Sequence, residues 1–598
     1  MKYFNTRIDI RSCVKLSVSK SDLIHYGWLL LIVLTYLYKV FRHIDAPIAP
    51  DAAGVYLPFS KMVLEQGFEF LMQPKSIIVP PISYLWPALF GGDVTVVKYA
   101  NLVAGIFMAL LIYGIGRQLH TRLAGLIAAF LFATSPFLIS WIPTALSEPP
   151  FFLFTLIWLW GIGEIISGKA WAIPVAAIAL SLSILTRSIW FYPSILFLAF
   201  ALFFVFFKLT IRKNISDIAL ALALGLILPV IIIIKNIVFF GLPAIDSGSG
   251  GALFYGANLM TNGFEPPLLG LAYESGFNDF HSLIGNREHA SVALQFLKER
   301  SLLELGNWYL TKVSWVTLFT ALEAPTRHSL LRVFELAMAG SSIWYGIKQK
   351  NMFILVIGFG LILQILQTAF VLYNIRYSTD NLELLLIPLA AVGITLSLNL
   401  GTKTIENVEH IGVNKSFFYT HTYGLIGAAI LVMLSAMLYF RAVPTVTLPP
   451  NIPVEVLFDG ASALTSQHVA FSDDHDLTSY KIEFDVPKQV LPLNVGNVLW
   501  EIKMTIFPAV EGHCNKASIN FKLNSTAEYA QKSGFKFRLH DDAIIHRYLI
   551  GASSSNSKLF PIKPGKLILK FDCTAGSKIV VNNISLIAPH FIEYYFKK

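Results

Sequence analysis

Cysteine is nearly missing from this chain, with three residues in 598, and that excludes a scaffold built on disulfides. Charge is scarce as well: 14% of residues are charged against 55% hydrophobic, and the mean hydropathy is +0.61. Such a composition excludes a soluble protein of this size and points to an integral membrane protein. The hydropathy pattern shows no internal repeat, and few charges fall inside the apolar runs, Lys235 and Glu335 being the main exceptions. Both absences weigh against a transporter or flippase of lipid-linked sugars, the competing class. The formal net charge is +9, but the basic residues are scattered at span ends, so they read as topology determinants facing the lipid bilayer and not as a nucleic-acid surface.

What is present is a series of apolar runs long enough to cross about 30 Å of hydrocarbon at about 1.5 Å per residue. Eleven are expected: Tyr26 to Phe41, Val96 to Gly116, Leu123 to Trp141, Phe151 to Ile166, Trp171 to Leu185, Trp190 to Phe207, Ile218 to Phe240, Leu330 to Ile347, Met352 to Tyr373, Leu384 to Leu400 and Tyr423 to Phe440. Arg7, Arg11, Lys15 and Lys20 precede the first run, and Arg117, Arg122, Lys208, Arg212, Lys213, Lys348 and Lys350 fall in connections on the same face. Positive-inside logic puts that face in the cytoplasm. Residues 1–25 then form a cytoplasmic segment, 26–441 the membrane domain, and 442–598 an extracytoplasmic domain, with outer loops at 45–95 and 241–328. No small-residue cleavage site follows the first run, so it reads as an anchor. A bacterial inner (plasma) membrane is the expected location.

Beyond Pro444 short runs alternate with period two: Tyr480 to Val486, Val498 to Ile506, Ser518 to Leu523, Phe535 to Leu539, Lys566 to Phe571 and Ile579 to Leu586. They predict antiparallel strands of a jelly-roll-like β-sandwich. Cys514 and Cys573 share this part, and an oxidising compartment allows them to pair or to stay apart. The loop 241–328 is too long for a passive connector. Ala290 to Leu305 and Trp308 to Leu322 are expected as helices in the outer interface, with Trp308 and Trp315 at headgroup level.

Chemistry concentrates in the outer loops. Asp51 stands in Pro50-Asp51-Ala52-Ala53-Gly54-Val55-Tyr56, just after the first run, where a carboxylate is costly unless a cavity or catalytic loop receives it. Downstream come Pro74-Lys75, Pro80-Pro81-Ile82-Ser83-Tyr84, Thr134-Ser135-Pro136, Ser147-Glu148, Gly250-Gly251-Ala252-Leu253-Phe254-Tyr255-Gly256-Ala257-Asn258 and Ile375-Arg376-Tyr377. In this order, over about residues 25 to 400, the motifs resemble the GT-C class of glycosyltransferases, and more narrowly the protein O-mannosyltransferase and lipid A aminoarabinose transferase superfamily.

That resemblance implies a polytopic helical fold and transfer of a sugar from a polyprenyl-phosphate donor to a lipid, glycan or protein acceptor on the outer face, with inversion. Asp51 holds the position of the family's general base, and Glu148 is the second candidate catalytic residue, positioning the acceptor or a metal; related enzymes often carry Asp where this chain has Glu148. Lys75 first, and Arg376 second, are the candidates for stabilising the departing phosphate. Tyr56, Tyr84, Arg187, Asn258 and Tyr377 complete the candidate substrate-binding set. Some enzymes of the class use a divalent metal ion and others do not, and no ligand cluster in the sequence decides it; His281 and His289 lack a helical ligand spacing.

Each residue has a plainer reading. Asp51 would serve as a helix N-cap, Glu148 as a helix-start residue, Lys75 as a snorkelling cation and Asp45 as a solvated loop carboxylate. A non-catalytic scaffold presenting the β-domain is a third class. The charge asymmetry makes one direct prediction: a reporter active only outside the cytoplasm, fused after residue 598, is active. Activity of a cytoplasmic reporter at the same point would overturn the orientation.

Overall fold

The computed structural model describes residues 20–46, 48–49, 51–207, 213–257, 283–318, 326–371 and 375–406, and strand segments between 454 and 589. Helix α1 (Lys20–Phe41) leads to a connecting segment holding a π-helical turn (Ala52–Tyr56), α2 (Leu57–Gln66), two 3-10 turns (Gly67–Met72 and Pro74–Ile77) and α3 (Ile82–Leu89). Then come α4 (Val94–Leu119), α5 (Arg122–Thr134), α6 (Pro136–Trp141), α7 (Glu148–Ile166), α8 (Ala172–Thr186), α9 (Phe191–Phe206) and α10 (Lys213–Phe240). Three helices, α11 (Ser249–Ala257), α12 (Leu283–Lys298) and α13 (Leu302–Leu318), occupy the long connection, and α14 (Thr326–Gln349), α15 (Met352–Phe370) and α16 (Ile375–Glu406) follow.

Helices stand at ten of the eleven expected spans, and the eleventh, Tyr423 to Phe440, lies outside the described residues. Seven are long and apolar enough to cross a membrane, or eight if α5 and α6 count as one bent span. The chain is an integral membrane protein. Two boundaries differ from expectation. The run Leu123 to Trp141 is not one straight helix: it bends by 45° at Ser135-Pro136, because proline offers no N–H to the preceding turn and the Ser135 hydroxyl caps a new start at the Leu138 amide. The tenth helix begins nine residues before Leu384, at Ile375, so Arg376 and Asp380 belong to it.

Hydrocarbon gives helices little hydrophobic reason to associate, so close backbone approach does much of the holding. At the α4–α5 contact a Cβ on Gly125 would come within 2.6 Å of the Tyr113 carbonyl oxygen. Tyr36 of α1 is fully buried, stacks on Phe132 and donates its hydroxyl to the Leu102 carbonyl at 3.0 Å. The connecting segment after α1 is pinned by Phe59, Phe70 and Tyr84, whose rings meet edge to face. Trp308 and Trp315 are not at a lipid surface as expected: both are buried, because α13 packs on α15 and Trp315 joins the main core.

The strand segments are β1 (Val454–Asp459), β2 (Val469–Ala470), β3 (Thr478–Val486), β4 (Gln489–Val490), β5 (Leu499–Phe507), β6 (Cys514–Leu523), β7 (Phe535–Phe537), β8 (Ile545–Leu549), β9 (Pro561–Ile562), β10 (Gly565–Cys573) and β11 (Lys578–Pro589). All six expected runs fall on strands. Their pairings are antiparallel: β3-β10-β6-β7 in one sheet, β1-β11-β5-β8 with β2 also on β11 in another, and β4 with β9.

The β6–β10 register sets Cys514 opposite Cys573, just past an irregularity. Directly opposed residues in such a ladder have Cα atoms about 4.5–5.5 Å apart, inside the roughly 4.4–6.8 Å that a disulfide spans. Protein from an oxidising compartment is therefore expected to carry a Cys514–Cys573 bridge. Peptide mapping after alkylation without reduction should find the linked pair; recovery of both as alkylated thiols would exclude it.

Candidate active site

Five acidic and basic side chains alternate along one connected path, and they come from four separate parts of the chain. Helix α16 supplies two of them: Arg376 and Asp380 are one turn apart, so they share a face. Helix α7 starts at Glu148, followed by Pro149 and Pro150, whose missing N–H groups cost nothing in a first turn. The positive end of that helix favours a carboxylate there. Arg187 follows α8 in extended backbone, with φ −149° and ψ 124°. Asp51 opens the π-helical turn after α1.

Glu148 is the hub. Its Oε1 accepts a hydrogen bond from Arg187 Nη1 at 2.9 Å and another from Arg376 Nε. Arg187 Nη1 also donates to Asp380 Oδ2, and Arg376 Nη1 donates to Asp51 Oδ2 at 2.6 Å. The order is Asp51, Arg376, Glu148, Arg187, Asp380. Burial is graded along it: the Glu148 and Asp380 side chains are fully buried and Arg187 is 9% exposed, while Arg376 is 16% and Asp51 38% exposed. Asp51 is the end that opens to the surroundings.

The flanking structure fixes these positions. Arg187 lies over the rings of Phe151 and Tyr377 at 5.8 and 5.3 Å. The Ser83 hydroxyl donates to the Thr186 carbonyl at 2.8 Å, tying the Pro80 to Tyr84 motif to the residue before Arg187. Lys98 is buried and donates to the carbonyls of Ile44 at 2.9 Å and Ala46 at 2.5 Å, while the Ala49 amide bonds to the Thr144 carbonyl at 3.2 Å. The approach to Asp51 is thus anchored on α4 and on the turn before Glu148. That turn holds Ala145 at φ +58°, a left-handed conformation costly for a residue with a Cβ. Asp246 accepts hydrogen bonds from the Ser188 hydroxyl and the Gly248 amide; burial pushes its carboxyl up from the usual range. Gly250 lies so close to α12 that a Cβ would meet the Asn286 carbonyl oxygen at 2.0 Å.

The remaining predicted residues divide. Tyr56 is buried beside the network and accepts a hydrogen bond from Ser147 at 3.4 Å; burial raises its phenol, so it stays neutral. Tyr377 is in place under Arg187. Tyr84 is buried away from it, its hydroxyl donated to the Ser76 carbonyl at 3.2 Å. Lys75 is exposed on the turn Pro74–Ile77 and makes no contact with the five charges. Asn258 and His281 lie outside the described residues. Asp51 makes no side-chain cap bond to the turn it opens, so its carboxylate serves Arg376 and not the helix end. Asp380 is a member that sequence reasoning missed; its signal was the one-turn spacing from Arg376 inside an apolar run.

Among the described residues no three His, Cys, Asp or Glu side chains gather as a metal site. Guanidinium groups separate the three carboxylates, so this arrangement does not fit the divalent ion that the resemblance left open.

Residues 75–233 match the model of the dolichyl-phosphate-mannose-protein mannosyltransferase family. That stretch, about a quarter of the chain, is similar to this family of membrane mannosyltransferases. The match spans Lys75, Glu148 and Arg187, and leaves Asp51 and Arg376 outside it. Among curated proteins, none matches the chain by sequence. Among solved structures, an oligosaccharyltransferase, AglB from Archaeoglobus fulgidus, in complex with an inhibitory peptide and a dolichol-phosphate, is 13% identical with a TM-score of 0.41. The likeness covers 72% of this chain and 57% of that one. ArnT from Cupriavidus metallidurans, bound to undecaprenyl phosphate, is 14% identical with a TM-score of 0.33, over 69% of this chain and 71% of that one.

Removing one member of a buried ion network strands the others, at a cost of about 3–5 kcal/mol, whereas an exposed side chain outside any network changes stability by about 0.5 kcal/mol or less. Arg187→Ala should therefore lower the detergent melting temperature clearly and Lys75→Ala should leave it unmoved. Equal melting of the two variants would show that the network does not hold the bundle.

Proposed function

We propose that the chain is an inverting membrane glycosyltransferase that moves a sugar from a polyprenyl phosphate to an acceptor hydroxyl on the outer face of the membrane. The observation that supports this most is Asp51: the accessible end of an otherwise buried charge network, hydrogen-bonded to a guanidinium, on the loop that follows the first span. The family match supplies the donor class, a sugar on a lipid phosphate.

The chemistry follows from the placement. The acceptor oxygen attacks C1 of the sugar as its proton passes to the Asp51 carboxylate. The C1–O bond to phosphate breaks and its electron pair stays on the phosphate oxygen, so a phosphodiester monoanion leaves as a phosphomonoester dianion. Arg376, fixed by Glu148, is the cation that meets this developing charge. Lys75 is a second phosphate contact, brought by the exposed turn of the same outer segment. Glu148, Arg187 and Asp380 are positioning residues, since they hold Arg376 and one another and not the reacting atoms. On this reading the eleven spans place the N-terminus inside, the two main sheets of residues 454–589 pack as a sandwich outside, and the membrane is a bacterial inner membrane.

Asp51→Asn keeps the shape and removes the proton acceptor. General-base catalysis contributes about 10²–10⁴-fold, so release of polyprenyl phosphate from polyprenyl-phosphate sugars by the purified variant should fall by at least about 100-fold with its melting temperature near wild type. If more than about a tenth of the activity survived, well short of that range, the base would lie elsewhere.

A further inference from the structure

Resting on the reading just given, we propose that Arg376 changes partners in every turnover: the donor phosphate displaces Asp51 from its Nη1, and that displacement is what frees Asp51 to act as the base.

Arg376 is already held between two carboxyl groups, Asp51 and Glu148, and a donor brings a further anion to it. Something negative must give way. Glu148 and Asp380 cannot, because both are fully buried and each is bound to an arginine. Asp51 can: it is 38% exposed, it makes no cap bond to its own helix turn, and it stands on a π-helical turn, a widened geometry that recurs at functional sites. Arg376 does not have to move for the exchange. Its Nε stays on Glu148 while its Nη1, the atom now given to Asp51, turns to the newcomer.

The exchange is needed for the chemistry as well. In the structure the Asp51 Oδ2 accepts from Arg376 at 2.6 Å, a bond that takes up one of the two carboxylate oxygens and fixes the orientation of the group toward the arginine. A phosphate on Nη1 releases it, and the acceptor then meets a free carboxylate; donor binding precedes productive acceptor binding. During transfer the phosphate goes from one negative charge to two while Asp51 takes the proton and becomes neutral. Negative charge passes from one side of Arg376 to the other with the guanidinium fixed between them, and little reorganisation is required. When Asp51 loses its proton to water it competes again for Nη1 and helps expel the polyprenyl phosphate.

The test is binding of undecaprenyl phosphate to purified protein in detergent. Because Asp51 competes for Arg376, Asp51→Asn, although inactive, should bind this lipid more tightly and release it more slowly than wild type, by about 1.5- to 5-fold, the range for a partly exposed ion pair. Simple repulsion by a nearby carboxylate would give the same gain whatever stands at 376, so the substitution is repeated in Arg376→Ala, or in Arg376→Lys if the alanine variant does not fold. Loss of the gain there supports partner exchange; an undiminished gain, or no gain with Asp51→Asn in the first place, overturns it. Wild type that neither binds the lipid nor releases it from any polyprenyl-phosphate sugar would instead overturn the reading of the site as a glycosyltransferase.

Discussion

The hydrogen bonds that Glu148 accepts from two arginines are the constraint on which the rest of the site depends. A carboxylate with no exposure inside a helical bundle is tolerable only when its charge is matched and its lone pairs are used. Glu148 meets the first demand by drawing Arg187 and Arg376, from stretches distant in sequence, to a single oxygen, while its second oxygen has no hydrogen-bond partner among the described residues. Each arginine then has a second carboxyl partner, the buried Asp380 for one and the partly exposed Asp51 for the other. The exposed end of the path is therefore held from the inside: Asp51 is placed by Arg376, and Arg376 by a residue that no solvent reaches.

Lysines do comparable work for the backbone. Among the described residues Lys98, Lys235 and Lys312 pair with no carboxylate; each donates to main-chain carbonyls where a connecting segment meets the bundle. Lys98 holds Ile44 and Ala46 before Asp51, Lys235 holds Leu71 at 3.0 Å, and Lys312 holds Gly256 at 2.9 Å and Val371 at 2.5 Å. Val371 closes α15, four residues before α16 opens, and Gly256 lies at the end of α11. Lys312 also sits over the Trp308 ring at 4.7 Å. Carbonyls at helix and turn ends carry partial negative charge that no intrahelical donor satisfies, and an ammonium with three donors can serve two of them at once. That gives these lysines a structural role at helix and turn ends, apart from any role in setting orientation.

Much of this was legible in the sequence. Long apolar runs located ten helices because span length is set by the bilayer, and period-two alternation located the strands because one face of each is expected to be covered. Asp51, Glu148, Arg187 and Arg376 could be picked out as charges that hydrocarbon would not keep without partners. Their pairing could not, since nothing local says that residue 148 meets residue 376. The sequence makes Arg376 a candidate for a phosphate or a carboxylate partner, and the structure gives it two carboxylates. Asp380 was missed for a different reason: placing the start of the tenth run at Leu384 treated polar residues as the boundary of a helix that in fact continues through them. The break at Ser135-Pro136 was visible as a motif, but its 45° angle depends on what the two halves pack against.

The same stretch of α16 explains why the helix sits in one register. Arg376, Asp380 and Glu383 follow one another at intervals of four and three, which keeps them on one face through nearly two turns. The first two join the path through Glu148 and Arg187, and Glu383 accepts from Arg332 of α14 at 2.5 Å, both side chains being buried. The apolar part of this helix, Leu384 to Leu389, is buried all round and has no amphipathic preference to orient it. A slip of one residue would turn it by about 100° and leave three charges facing hydrocarbon or apolar side chains, each at an effective cost of several kcal/mol. Dispersion contacts among Leu, Ile and Val would change far less, since neighbouring positions carry similar side chains. The ion pairs thus select the rotation of α16, and that rotation points Arg376 at Asp51. A substitution deep in the helix, at Glu383 or Arg332, would reach the site by this route without touching any reacting atom.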